Sequence, residues 1–106
     1  MVYTRIIIDT AEISEDLLIR LADELTNPKS LSTLGLAGST SVKVHVLENL
    51  NTPLPMFELL SNDPAWEVRK TIAESPRASR EVLLRLCEDE NMSVRHSAKH
   101  TLKKFF

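Results

Sequence analysis

The chain has 106 residues, of which 42% are hydrophobic and 26% charged, and its formal net charge is −2. That length supports one domain with a modest core, and that charge gives no global attraction to nucleic acid or to an anionic membrane. A single cysteine, Cys87, excludes an internal disulfide and any site built from several thiolates, while aromatics at 5% argue against a base-stacking surface.

The chain opens with MVYTRIIID, in which Val2–Ile8 is rich in β-branched residues and is predicted to form a short strand or extended arm within residues 1–13. Asp9 follows at once and no small-residue cleavage pattern appears, so neither a signal peptide nor a transmembrane span is read here. A reducing cytoplasm is the expected location, and no membrane partner is expected.

Residues 14–41 read as a degenerate helical repeat. SEDLLIRLADE (14–24) matches SREVLLRLCED (79–89), with Ser14, Leu18, Arg20 and Leu21 repeated as Ser79, Leu83, Arg85 and Leu86. In NPKSLSTLGLAGSTSV (27–42), Asn27-Pro28 marks a break. Thr33, Leu34 and Ala37 are the predicted apolar stripe, and Gly35 weakens the helix.

Residues 42–67 then lie over 68–93 without a gap. Val42, Val46, Met56, Phe57 and Leu60 fall on Val68, Ile72, Val82, Leu83 and Leu86, and Asp63 falls on Asp89. A third copy begins at Val94 and runs to Phe106. Repetition at this period marks units that bury their apolar faces against one another. Within the second copy, Asp63 is predicted to cap a helix with Pro64 in its first position. Ala65, Val68 and Ile72 then share one face, and Ser75-Pro76 ends the helix. Ser79 caps the next helix, whose stripe is Val82, Leu83 and Leu86. Thr52-Pro53 is predicted to start the matching helix of the first copy.

These features resemble the variant leucine-rich repeat family and its HEAT-like relatives. LAGSTSVKV, LLSNDPAWEVRK and LCEDENMSVRH carry the likeness, which covers roughly residues 14–104. The resemblance implies an all-α fold: paired short helices stacked into a short right-handed α-helical solenoid. The period of 26 is slightly longer than the family's usual repeat. The cysteine cluster that accompanies an iron–sulfur site in some relatives is missing, so no cofactor carries over.

Several side chains stand out as candidate site residues. Lys43, Arg69 and Arg95 recur every 26 residues and form either a row of cations for phosphates or an acidic partner, or internal pairs with Asp63 and Asp89, which recur in step. Trp66 lies round the helix from Val68, near Arg69 and Lys70, where it could anchor a ligand. Its equivalent in the next copy is Met92, which instead suggests packing between units. His96 and His100 have the spacing at which two imidazoles can chelate a metal, but Lys99 and Lys103 share their side and oppose a cation, so no metal is expected. SVRHSAKHTLKKFF is the most basic segment, and Arg95, Lys99 and Lys103 line its flank. That flank suits nucleic acid, or it complements the helix dipole. Cys87 aligns with Ser61 and reads as a packed thiol.

No glycine-rich phosphate cradle and no converging acid, base and nucleophile are visible, so no enzyme activity is expected. The expected role is a non-enzymatic module that binds another protein, with Trp66, Arg69, Lys70, Arg95, His96, Lys99 and Lys103 as its binding residues. The alternative is a nucleic-acid-binding module using the C-terminal basic helix. Self-association into a homodimer is a further expectation, through Val2–Ile8 or through Phe105–Phe106.

Overall fold

The computed structural model describes residues 14–106, and among them all regular structure is helical. The expected strand or arm at Val2–Ile8 lies outside the described residues. Seven helices follow one another: α1 (Glu15–Glu24), α2 (Pro28–Ala37), α3 (Thr40–Glu48), α4 (Pro55–Leu60), α5 (Trp66–Ala73), α6 (Arg80–Leu86) and α7 (Met92–Phe105). No helix among the described residues is long and apolar enough to cross a membrane.

Side-chain caps set most of the starts. Ser14, Ser39 and Ser79 accept a hydrogen bond from the third residue after them, at Leu17, Val42 and Val82. Asn27 caps α2 with Pro28 behind it, and Asn91 caps α7. Each such cap satisfies amides that the helix itself leaves without partners. Two predicted starts are corrected. α5 begins at Trp66 after an N-cap residue, Ala65, with no side-chain cap. Asp63 is turned elsewhere: it accepts from the Ala65 amide at 3.0 Å and from Lys43. Likewise α4 begins at Pro55, beyond Thr52-Pro53, because the Thr52 hydroxyl is bonded back to the Val46 carbonyl in the interior.

The helices α1, α3, α5 and α7 pack in succession. α3 packs on α1, α5 on α3 and α7 on α5, while α2, α4 and α6 pack behind α3, α5 and α7 respectively. The whole measures 49 × 23 × 18 Å. α1 and α3 run in the same direction. Ser39 at the start of α3 donates to Glu15 at the start of α1, and Asn49 just past α3 reaches the Ala22 and Leu25 carbonyls at the end of α1. Thus α1, despite its sequence likeness to α6, stands in the row of α3, α5 and α7.

Val42, Val68 and Val94 are each the third residue of their helix and each fully buried. Burying one valine side chain contributes about 1.5–3 kcal/mol, so the repeated position helps to hold each of α3, α5 and α7 in the core. The stripes over Met56, Phe57 and Leu60 and over Val82, Leu83 and Leu86 are buried as the spacing predicts. In α2 the stripe is different. Leu31 and Gly35 are buried and Leu34 half-buried, whereas Thr33 and Ala37 are exposed.

Two apolar clusters share α3. Val42 and Val46 close on Ala22 and Leu31, while Leu47 and Val44 join the larger cluster that runs through Phe57, Val68 and Ile72 to Val94 and Ala98. A helix placed between two clusters must be apolar on more than one face, which explains the run Val42, Val44, Val46, Leu47.

Candidate functional site

The recurring basic residues meet the recurring aspartates near the starts of α3, α5 and α7. Lys43 Nζ lies 2.7 Å from Asp63 Oδ1. Arg69 is bound more fully. Its Nε and Nη2 donate to the two Asp89 oxygens at 2.8 and 3.1 Å, and its Nη1 donates to the Asp63 and Pro64 carbonyls at 2.8 and 3.0 Å. Arg69 is only 8% exposed, so this residue is part of the interior. Burial pushes the Asp89 carboxyl up, but the Arg69 hydrogen bonds, the Asn91 amide and the charges of Arg69 and Arg95 outweigh it and hold the group below the usual carboxylate range. Asp63 is held low in the same way, burial being opposed by Lys43, the Ala65 amide and the Arg69 charge. The Asp89 hydrogen bonds push the Arg69 guanidinium up against the opposing effect of its burial.

A second constellation lies on the outer side of the α3, α5 and α7 row. Trp66 and Lys70 on α5 and its C-cap residue Glu74 follow one another at four-residue spacing, and Met92, His96 and His100 do so on α7, which puts each trio on one helix face. Position for position the two strips are 26 residues apart. Between them runs an open groove lined by Lys70, Glu74, Met92, Ser93, His96 and Ser97, and it continues past His100 and Thr101. A neighbouring groove, lined among others by Leu47, Leu50, Thr71 and Glu74, separates α3 from α5. Glu74 therefore borders both grooves.

Trp66 is 41% exposed and Met92 73% exposed. Met92 thus faces solvent, which corrects the expectation of packing between units there, while Trp66 is half covered. The helix periodicity places both at the first turn, ahead of the buried valine, where the strip turns outward. Of the sequence candidates, Trp66, Lys70 and His96 come together on this face. Sequence reasoning missed Glu74, Ser93 and Ser97; Glu74 was legible as the fourth residue after Lys70.

The remaining cations lie elsewhere on α7. Arg95 Nη1 donates to the Asp89 and Glu90 carbonyls at 2.8 and 3.1 Å. Lys99 is exposed, and its charge reaches Cys87 on the α6 side. Burial pushes the Cys87 thiol up, with Glu88 adding to this and Lys99 opposing it. Cys87 is half-buried and packs against the larger apolar cluster. Lys103 and His100 are exposed, and among the described residues no group of three potential ligands is placed to hold a metal ion. Phe105 and Phe106 are 50% and 61% exposed. Comparison with family models, curated proteins and solved structures returns no match.

Proposed function

We propose that this chain is a short helical-repeat scaffold of the HEAT-like or variant leucine-rich repeat kind, without catalytic activity, that holds a segment of another protein along the outer face of α5 and α7. The observation that carries this reading is the pair of matched strips, Trp66-Lys70-Glu74 and Met92-His96-His100. They are not drawn into the ion pairs that absorb Lys43 and Arg69. A methionine lining the groove and a half-exposed tryptophan one turn before Lys70, with an ammonium, two imidazoles and a carboxylate alongside, combine apolar anchors with polar groups that fix orientation.

The repeat reading is supported by the buried valines at matched places and by Arg69 repeating the acid pairing of Lys43 one repeat further on. Glu74 in the groove disfavours a polyanion lying along it. That favours protein over nucleic acid for this face.

A photo-crosslinking side chain at Met92 tests the proposal in the source cell. The expected result is a discrete protein adduct that survives nuclease and about 0.5 M salt, since an apolar hot spot has a shallow salt dependence whereas phosphate contacts are lost steeply. Trp66→Ala and Lys70→Glu should each remove the adduct. Adducts that vanish with nuclease, or that both variants leave intact, overturn it.

A further inference from the structure

We infer that the fork of Arg95 is a built receptor for a carboxylate, and that the flank of α7 beyond it binds an acidic turn supplied by another protein. The inference rests on a comparison within the molecule and stands apart from the outer-face reading above.

Arg69 and Arg95 are equivalent residues, 26 apart. Each uses Nη1 to grip two carbonyls of the loop before its own helix, at 2.8 and 3.0 Å for Arg69 and at 2.8 and 3.1 Å for Arg95. That grip fixes the guanidinium in one pose. In Arg69 the other edge, Nε and Nη2, then receives both oxygens of Asp89. In Arg95 the same edge has no acceptor among the described residues. A planar fork already held in its binding pose loses little freedom on taking a carboxylate, and two parallel N–H···O bonds are the strong form of that contact. The neighbouring Glu90 does not fill the place, since its carboxylate lies toward Arg69 Nη2 at 3.8 Å.

The molecule also specifies the shape of the occupant. Both aspartates of the ladder sit in a turn in which the amide two residues on folds back to the carboxylate, Ala65 to Asp63 and Asn91 to Asp89. An aspartate-led turn is thus the form this cation receives. A close-packed helix is disfavoured as the occupant. Ala73 of α5 is fully buried, its carbonyl accepting from Thr101 of α7, whereas the equivalent residue of α7 is the exposed Lys99. Lys99 keeps a closely packed helix out and adds a second cation beside Arg95, which selects an acidic, turn-shaped segment.

The probe is a capped peptide Glu-Asp-Glu-Asn-Met, a copy of the segment that seats on Arg69, added to the whole chain while the Arg95 Nε–Hε resonance is followed by NMR. A saturable shift is expected in the millimolar range, on the order of 1–10 mM, with the Arg69 resonance unmoved. The Gln-Asn-Gln-Asn-Met peptide should give no saturation, and Lys99→Glu should weaken binding about tenfold. Arg95→Lys, which keeps the charge and loses the fork, should abolish it. Should that variant fail to fold, Lys99→Glu, at an exposed position, carries the test. No saturable shift, an equal shift with the uncharged peptide, or tighter saturation by a deoxythymidine oligomer each overturns the inference. Crosslinking at Met92 in the Lys99→Glu chain reports on the outer face alone, so failure of one reading leaves the other legible.

Discussion

Arg69 and Asp89 face each other across α5 and the loop before α7 through two parallel hydrogen bonds of 2.8 and 3.1 Å, with side chains only 10% and 9% exposed. A largely shielded pair of this kind is costly to break from one side, because the partner keeps its charge in a place that water reaches only from the surface groove the two residues line. Arg69→Ala also strands the Asp63 and Pro64 carbonyls. Each single replacement by alanine should therefore lower the unfolding free energy by about 3–5 kcal/mol, read from urea denaturation at neutral pH. Combining Arg69→Met with Asp89→Leu should be milder than the sum of the singles. A double-mutant cycle with no coupling would show that the pair does not act as a unit.

Acid should unfold the protein through the same residues. Asp63 and Asp89 are both held below the usual carboxylate range in the folded state. The unfolded chain therefore takes up protons first as pH falls, beginning near the ordinary aspartate value of about 4. The stabilisation is fully present above that value and is lost as pH falls through the lower folded values. The slope of stability against pH should be about 1.4 kcal/mol per pH unit for each proton. Asp63→Asn and Asp89→Asn should each flatten the curve in that window and leave its shape near neutrality unchanged. An unaltered acid limb in both variants would assign acid sensitivity to other carboxylates.

The pairing was legible because acids and cations recur together, and the buried valines were legible because an apolar position at a fixed period has one common explanation. The place of α1 was not. Its leucine pattern matches α6, but a pattern of apolar residues says which face is buried and not which helix it packs beside. Contacts at both of its ends, Glu15 with Ser39 and Ala22 with Asn49, settle that point. Asp63 was misread as a helix cap because its carboxylate had a second use, the Lys43 ammonium, that lies 20 residues away in sequence. Half of the outer strip was visible as Trp66, Lys70 and His96. Met92 was taken for packing because size alone does not distinguish a buried apolar residue from an exposed one.

Asn49 and Thr101 do the same work at the other end of the row. Asn49 Nδ2 donates to the Ala22 and Leu25 carbonyls at 2.9 and 2.8 Å, and Thr101 Oγ1 donates to the Ala73 carbonyl at 2.6 Å, all at or just beyond helix C-termini. Both residues are buried. Terminal carbonyls have no partner within their own helix, so removing the donor leaves them desolvated at a cost of about 1–3 kcal/mol each. Thr101→Val should thus cost about 1–2 kcal/mol. Asn49→Leu should cost more, since it strands two carbonyls and also the Asn51 amide that Oδ1 accepts at 2.8 Å. Hydrogen exchange should show the Thr101 effect confined to α5 and α7, and the Asn49 effect to α1 and α3. Uniform loss of protection would mean that the two ends of the row are not separable.

Two glycines in and after α2 respond differently to a methyl group, and the difference follows from what each would touch. A Cβ at Gly35 would stand 2.9 Å from Met56 Cε and 3.2 Å from Val46 Cγ1. The nearer neighbour is the free end of a flexible side chain that can swing aside, and the helix interior gains about 1 kcal/mol in exchanging glycine for alanine. Gly35→Ala should accordingly leave stability within about 1 kcal/mol of the parent, the gain offsetting the crowding. Gly35→Leu cannot be accommodated between α2, α3 and Met56 and should lose about 2–3 kcal/mol. At Gly38 a Cβ would meet the Leu34 carbonyl oxygen at 2.7 Å and Val42 Cβ at 2.8 Å. One of these is backbone and the other the stem of a buried side chain, so neither can yield without moving the turn into α3. Gly38→Ala should therefore be worse than Gly35→Ala, by about 1–3 kcal/mol. Urea midpoints of the two alanine variants falling in the reverse order would place the tight contact at Gly35, and would mean that the turn from α2 to α3 is free to relax.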